Sequence, residues 1–193
     1  MEALGLVIEI PSDGDVRSIR KLLGRNNHQY KKAFRVINKR TQAKFDQALK
    51  IAKNKTVRNY WHGSRNENWW SIIDSGLLIR PANAVITGKM FGYGIYGSSK
   101  AQKSIGYSSL QGSYWARGSA NKGFLALFDF HMGNQLHVKN HAAWMYSIDY
   151  SKLRKKGEYD SLYAHGGADL MNDEFIVYKS DQVTIKYLVE LSN

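Results

Sequence analysis

Residues 91–107 read FGYGIYGSSKAQKSIGY, and Gly92, Gly94 and Gly97 within them match the G-x-G-x-x-G pattern of dinucleotide-binding folds. In such folds the glycines follow a strand, a helix opens at their end, and an acid about 20 positions further on holds the ribose hydroxyls. Here the next acid after Gly97 is Asp129, 32 positions later. Nor does the sequence beyond it alternate strands with helices, as a parallel sheet requires. The stretch therefore does not specify a doubly wound hydride-transfer fold. Its glycines are read instead as places where the backbone turns tightly and comes close to another group.

Within the same stretch, Ile95 to Tyr96 reads as a short strand and Ser98 to Tyr107 as a helix. Phe124 to Phe130, Asp160 to Ala164, Glu174 to Tyr178 and Val183 to Leu191 are rich in β-branched and aromatic residues and read as strands. On the other side, residues 79–93 hold Pro81, Gly88 and Gly92 with little periodicity, the composition of a loop able to lie over a ligand. Val57 to His62 reads as a buried strand and Asn66 to Ser75 as a helix ending at Gly76. Asp15 to Leu23 reads as a short capped helix and Tyr30 to Asn38 as a strand. From Thr41, expected to cap it, an amphipathic helix carries Phe45, Ala48, Leu49 and Ala52 on its apolar face. The fold class is α+β with mostly antiparallel strands. With no repeat, low-complexity tract or Pro/Ser-rich linker, residues 1–193 read as one domain.

A chain of 193 residues that is 43% hydrophobic with 2 prolines has enough apolar material for a packed core. Cysteine is absent, which excludes disulfides, thiolate metal sites and a cysteine nucleophile. No stretch approaches the roughly 20 apolar residues of a membrane span, and the start, MEALGLVIEI, carries acids where a signal peptide carries positive charge. The expectation is a soluble, intracellular, cytoplasmic protein with no membrane partner. The net charge is +12, and residues 1–60, with 14 basic and 5 acidic groups, supply +9 of it. A field of that sign attracts polyanions such as RNA or DNA; a merely solvated basic face is the other reading.

Three separated segments place polar groups beside rigid backbone: WHGS at 61–64, the 91–107 stretch, and NDEFIVY at 172–178. Tyr96 is followed by Ser104 and Tyr107, GLLIRP precedes the long loop, and DQVTIKYLVEL stands near the end. Together, in this order, they resemble the poly(ADP-ribose) polymerase family within the diphtheria-toxin-like ADP-ribosyltransferases, with its His-Tyr-Glu signature on His62, Tyr96 and Glu174. The resemblance covers roughly residues 30–193 and implies an ADP-ribosyltransferase fold, two mostly antiparallel sheets around an NAD-binding cleft with flanking helices.

It further implies that NAD⁺ is the co-substrate and that no metal is needed. Gly63 and Ser104 would hold the nicotinamide carboxamide, Tyr107 and Tyr96 would enclose the ring, and His62 would bind the adenosine-side ribose, assisted by Ser64 and Asn68. Glu174 would bind the other ribose and stabilise an oxocarbenium-like state; Lys103 is counted with the NAD⁺-binding residues, and the presence of Glu174 and Lys103 is compatible with chain elongation. The partner is a macromolecular acceptor, protein or RNA/DNA, and the enzyme is expected to be a monomer. Residues 1–29 read as a basic N-terminal extension, too short for the helical regulatory domain of larger family members. Leu78 stands where many members have an arginine, and Arg80 comes two residues later. A role as a toxin or in host–virus conflict fits so small an enzyme.

Taken singly, these residues have bland readings: His62 a structural histidine, Tyr96 and Tyr107 core aromatics, Glu174 a solvated turn acid beside Asp173. Two other functions also fit the residues, a catalytically inactive module that binds NAD⁺ or ADP-ribose and a basic nucleic-acid-binding domain. His131, His137 and His141 lie in HMGNQLHVKNH, which lacks a carboxylate; they are read as surface residues around a hairpin rather than as a metal site. Trp69 and Trp70 read as packing residues.

Overall fold

A computed structural model describes residues 5–79 and 90–193. Residues 80–89, the larger part of the expected cleft-covering loop at 79–93 and including Arg80, lie outside the described residues.

The chain opens with β1 (Leu6–Glu9) and α1 (Asp13–Leu23). Ser12 starts α1 by a reciprocal cap: its Oγ accepts the Asp15 amide, and the Asp15 carboxylate accepts the Ser12 amide, both at 3.2 Å. The same carboxylate accepts the Tyr187 hydroxyl at 2.6 Å, which ties the helix start to the sheet and holds the Asp15 carboxyl below its ordinary value. Ile19 and Leu23 on the inner face of α1 are buried. The helix therefore packs onto the core, and part of the segment read as an extension belongs to it.

β2 (Tyr30–Asn38) leads directly into α2 (Lys39–Ile51). Asn38, not Thr41, caps α2: its Oδ1 accepts the Arg40 and Thr41 amides at 3.1 Å. An amide side chain wins here because it has donors to spare. Asn38 Nδ2 also donates to the Ile73 and Asp74 carbonyls, at 2.8 and 2.7 Å, satisfying the C-terminal turn of a second helix. That helix, α3 (Trp69–Ser75), follows β3 (Val57–Gly63) and a 3-10 turn, Asn66–Asn68. Trp69 is buried as expected, whereas Trp70 is exposed because it lies on the opposite side of the helix.

Beyond the undescribed stretch come β4 (Ile95–Gly97), the short helix α4 (Ala101–Ile105), β5 (Lys122–His131) and β6 (Gln135–Val138). Then follow α5 (Tyr150–Gly157), β7 (Ser161–Ala164), β8 (Glu174–Val177) and β9 (Val183–Ser192). Among the described residues these form two sheets, ordered β1-β2-β9-β5-β3 and β4-β8-β7-β6. Every pairing is antiparallel except β6 with β7. The expected hairpin at residues 131–138 is absent: Gly133 turns the chain with φ 53°, but β5 and β6 belong to different sheets. His131 is accordingly buried rather than on the surface, with Nε2 2.7 Å from the Asn54 carbonyl.

The sheets meet where Trp61 exchanges two hydrogen bonds with Ser98, N–H to carbonyl at 2.8 and 3.0 Å. Between them Tyr60 stacks on Phe175 at 3.9 Å, with Phe128, Phe130 and Val177 packed around the pair. Each such buried side chain contributes about 1.5–3 kcal/mol relative to exposure.

Candidate active site

The 91–107 stretch crosses this junction, and its glycines are required by space. A Cβ on Gly94 would lie 2.4 Å from the Ile176 side chain, and one on Gly97 2.8 Å from Tyr60 and Phe130. They allow β4 to lie against the core, not a helix terminus to approach a pyrophosphate.

Gly63 ends β3 at the same junction. A Cβ there would sit 1.9 Å from the Ser104 carbonyl oxygen, so only glycine lets α4 rest on the strand. Backbone groups two residues apart along a strand point to one edge. Trp61 spends its pair on Ser98, and Gly63 turns its own N–H and C=O to that same edge. Ser104 is buried beside it, its Oγ donating to the Trp61 carbonyl at 3.1 Å, which leaves the oxygen lone pairs as acceptors.

His62 is oriented from behind: its Nδ1 lies 2.9 Å from the Tyr96 carbonyl. A carbonyl only accepts, so Nδ1 carries the proton and Nε2 is an acceptor in the neutral ring. Burial lowers the imidazole pKa below 6.5, and the hydrogen bond to Tyr96 only partly opposes it. Ser64 and Asn68, just beyond, bond to each other, Nδ2 to Oγ at 2.9 Å.

Tyr96 pairs with Ile176 in register, and side chains two residues apart on a strand share a face. Glu174 and Tyr96 therefore project from one face of the second sheet. The Tyr96 hydroxyl donates to the Gly92 carbonyl at 2.7 Å and accepts the Phe91 amide at 3.1 Å, bracing the end of the long connection. Burial raises its pKa, and the charge of Glu174 adds to the effect. Tyr107, after α4, is pushed up to about 12 by burial and then by Glu174. Its ring lies parallel to Trp115, centroids 6.1 Å apart. Glu174 is buried and paired with the Lys103 ammonium, which also donates to the Asn172 carbonyl at 3.4 Å.

His62, Gly63, Tyr96, Lys103, Ser104, Tyr107 and Glu174 thus converge on one side of the sheet junction, with Ser64 and Asn68 on the turn leaving it. Trp115 and the Trp61 carbonyl were missed in the sequence, because both act through contacts between elements that no local pattern signals. Among the described residues no group of three or more His, Cys, Asp or Glu could hold a metal ion, and no helix is long and apolar enough to cross a membrane.

The arrangement offers the aromatic rings of Tyr96 and Tyr107, a backbone edge for an amide, a neutral imidazole acceptor and a buried carboxylate. Comparison with known proteins agrees. The family profile described as "Poly(ADP-ribose) polymerase catalytic domain" matches residues 15–193. A poly(ADP-ribose) polymerase-like protein of Invertebrate iridescent virus 6 is 30% identical over 154 residues, 77% of this chain and 78% of its own. Poly(ADP-ribose) polymerase 2 of Zea mays is 28% identical over 165 residues, and that of Homo sapiens 31% over 155. The matches take in 74% and 68% of this chain but only 24% and 26% of those relatives, respectively. The chain belongs to the poly(ADP-ribose) polymerase catalytic-domain family, the NAD⁺ ADP-ribosyltransferases.

Proposed function

We propose that this chain breaks the nicotinamide–ribose bond of NAD⁺ and transfers ADP-ribose to a macromolecular acceptor, with His62, Tyr96 and Glu174 as the core of the site. The observation that carries this reading is the projection of Glu174 and Tyr96 from one face of the sheet, beside the Gly63–Ser104 edge.

The nicotinamide ring lies between Tyr96 and Tyr107, where aromatic faces favour a planar heterocycle. Its carboxamide bonds to the Gly63 backbone and donates to Ser104 Oγ, whose own proton is engaged by Trp61. These contacts fix the angle of the scissile bond. His62 Nε2 accepts a ribose hydroxyl on the adenosine side, with Ser64 and Asn68 alongside. The Glu174 carboxylate accepts the 2′-hydroxyl of the other ribose and faces the positive charge that develops at C1′. Lys103 positions that carboxylate.

As the C1′–N bond breaks, its electron pair returns to the pyridinium ring and nicotinamide leaves neutral. A lone pair of the acceptor forms the new bond to C1′, and the acceptor's proton passes to Glu174 or to water. Labelled NAD⁺ offered with protein, RNA and DNA tests this. The expected results are nicotinamide release by the wild type, loss of release in Glu174→Gln with NAD⁺ binding kept, and about tenfold weaker NAD⁺ binding in Ser104→Ala. Wild-type protein that binds NAD⁺ but never turns it over is instead an inactive binding module.

A further inference from the structure

The loop after α4 exposes two large aromatic rings, Tyr114 at 75% and Trp115 at 57%. Trp115 lies parallel to Tyr107 at 6.1 Å and 19°, and Tyr114 meets Trp115 edge-on at 4.6 Å. A row of three rings thus runs from the proposed nicotinamide slot to the surface. The loop is tied down: the Trp115 and Ala116 amides both donate to the Gly106 carbonyl, at 2.8 and 2.9 Å, and Gln111 bonds to Ala120 at 2.8 Å. Gly118 donates to Ser113 Oγ at 2.7 Å, and the Arg65 guanidinium to the Ala116 carbonyl at 2.9 Å. The rings are therefore held out on a fixed support.

From residue 75 to residue 128 the sequence has no Asp or Glu and 6 Lys or Arg, of which Lys103 and Lys122 are paired with Glu174 and Glu190 from later strands. Arg117 is exposed beside the rings, and among the described residues neither it nor Arg65 is paired with a carboxylate. Aromatic faces give a base something to stack on, and unpaired cations give phosphates a counter-charge; the two together fit an unpaired strand better than a duplex, whose bases are already stacked.

We propose that Tyr114, Trp115 and Arg117 form a platform that binds single-stranded nucleic acid at the mouth of the donor cleft, presenting the strand as an acceptor. Only its acceptor role rests on the transferase reading; strand binding does not.

The test is fluorescence anisotropy of the full chain, without NAD⁺, against labelled single-stranded RNA and DNA of about 12 nucleotides and a duplex of the same length. Both single strands are expected to bind more tightly than the duplex, and a preference between them assigns RNA or DNA as the ligand. Tyr114→Ala with Trp115→Ala should weaken single-strand binding about tenfold or more, and Trp115→Phe, which keeps a ring and guards against a folding artefact, less than about threefold. Arg117→Gln should flatten the salt dependence. Duplex binding as tight as single-strand binding, a double variant indistinguishable from wild type, or displacement by polyglutamate as efficient as by unlabelled strand overturns the platform. Nicotinamide release is measured separately: a protein that binds strands but releases none defeats the transferase reading alone, and an active enzyme with unaltered strand binding in the double variant defeats the platform alone.

Discussion

The Lys103 ammonium is paired with the Glu174 carboxylate, and the two side chains are only 13% and 11% exposed. α4 and the start of β8 are thereby joined by a charge pair largely out of water. Removing one partner leaves the other charge poorly solvated, so Lys103→Met is expected to cost about 2 kcal/mol, below the range for a fully buried pair because some solvent remains. A positioning role further predicts that kcat falls more than NAD⁺ affinity. Urea unfolding and steady-state kinetics measure both; an unchanged kcat contradicts it.

Glu174→Gln keeps the size of the side chain and removes its charge. Nicotinamide release is expected to fall about 10²-fold or more, the scale on which a charge-stabilising group acts. Release within about tenfold of wild type would exclude Glu174 from the reacting centre.

His62 makes stability depend on pH. Burial keeps the folded-state imidazole below 6.5, so on acidification the unfolded chain takes up its proton first. Stability is expected to be flat with respect to this group above about pH 7 and to decline as pH falls through about 6.5. His62→Gln should remove that part of the decline. Imidazole nitrogen NMR near neutral pH should show a neutral ring protonated on Nδ1; a proton on Nε2 contradicts the bond to Tyr96.

At Gly63 a methyl group would overlap the Ser104 carbonyl at 1.9 Å, and backbone cannot swing aside as a flexible side chain can. Gly63→Ala is expected to cost about 3 kcal/mol, lowering the thermal midpoint by roughly 6–12 °C. It should also abolish NAD⁺ binding, since α4 carries both Ser104 and the approach to Tyr107. Calorimetry and a binding titration check it.

Tyr96→Phe keeps the ring and removes the hydroxyl that holds Phe91 and Gly92. About 1–2 kcal/mol of stability should go with it. Amide hydrogen exchange should rise at Phe91 before it rises in β8.

The strands were legible because their apolar and aromatic residues alternate or run together, as in Tyr30–Asn38, read from the sequence with the bounds it has in the structure. Elements decided by contacts with other elements were not. Asn38 displaced Thr41 as a cap because it also serves the end of α3. His131 was drawn inside because β5 and β6 part into different sheets.

For the site, His62, Tyr96, Ser104, Tyr107 and Glu174 were nominated only jointly, through the family resemblance of three separated segments, since each residue alone has an ordinary structural reading. The residue pattern alone gave the class, α+β, and the missing acid ruled out the hydride-transfer fold. Why the glycines of GYGIYG are glycines, which face Glu174 shares with Tyr96, and that Lys103 is its partner emerge from the folded chain. Those relations join residues some 70 positions apart, as Lys103 and Asn172 are. Local propensity acts over a few residues, so such pairs exist only once the two sheets have met.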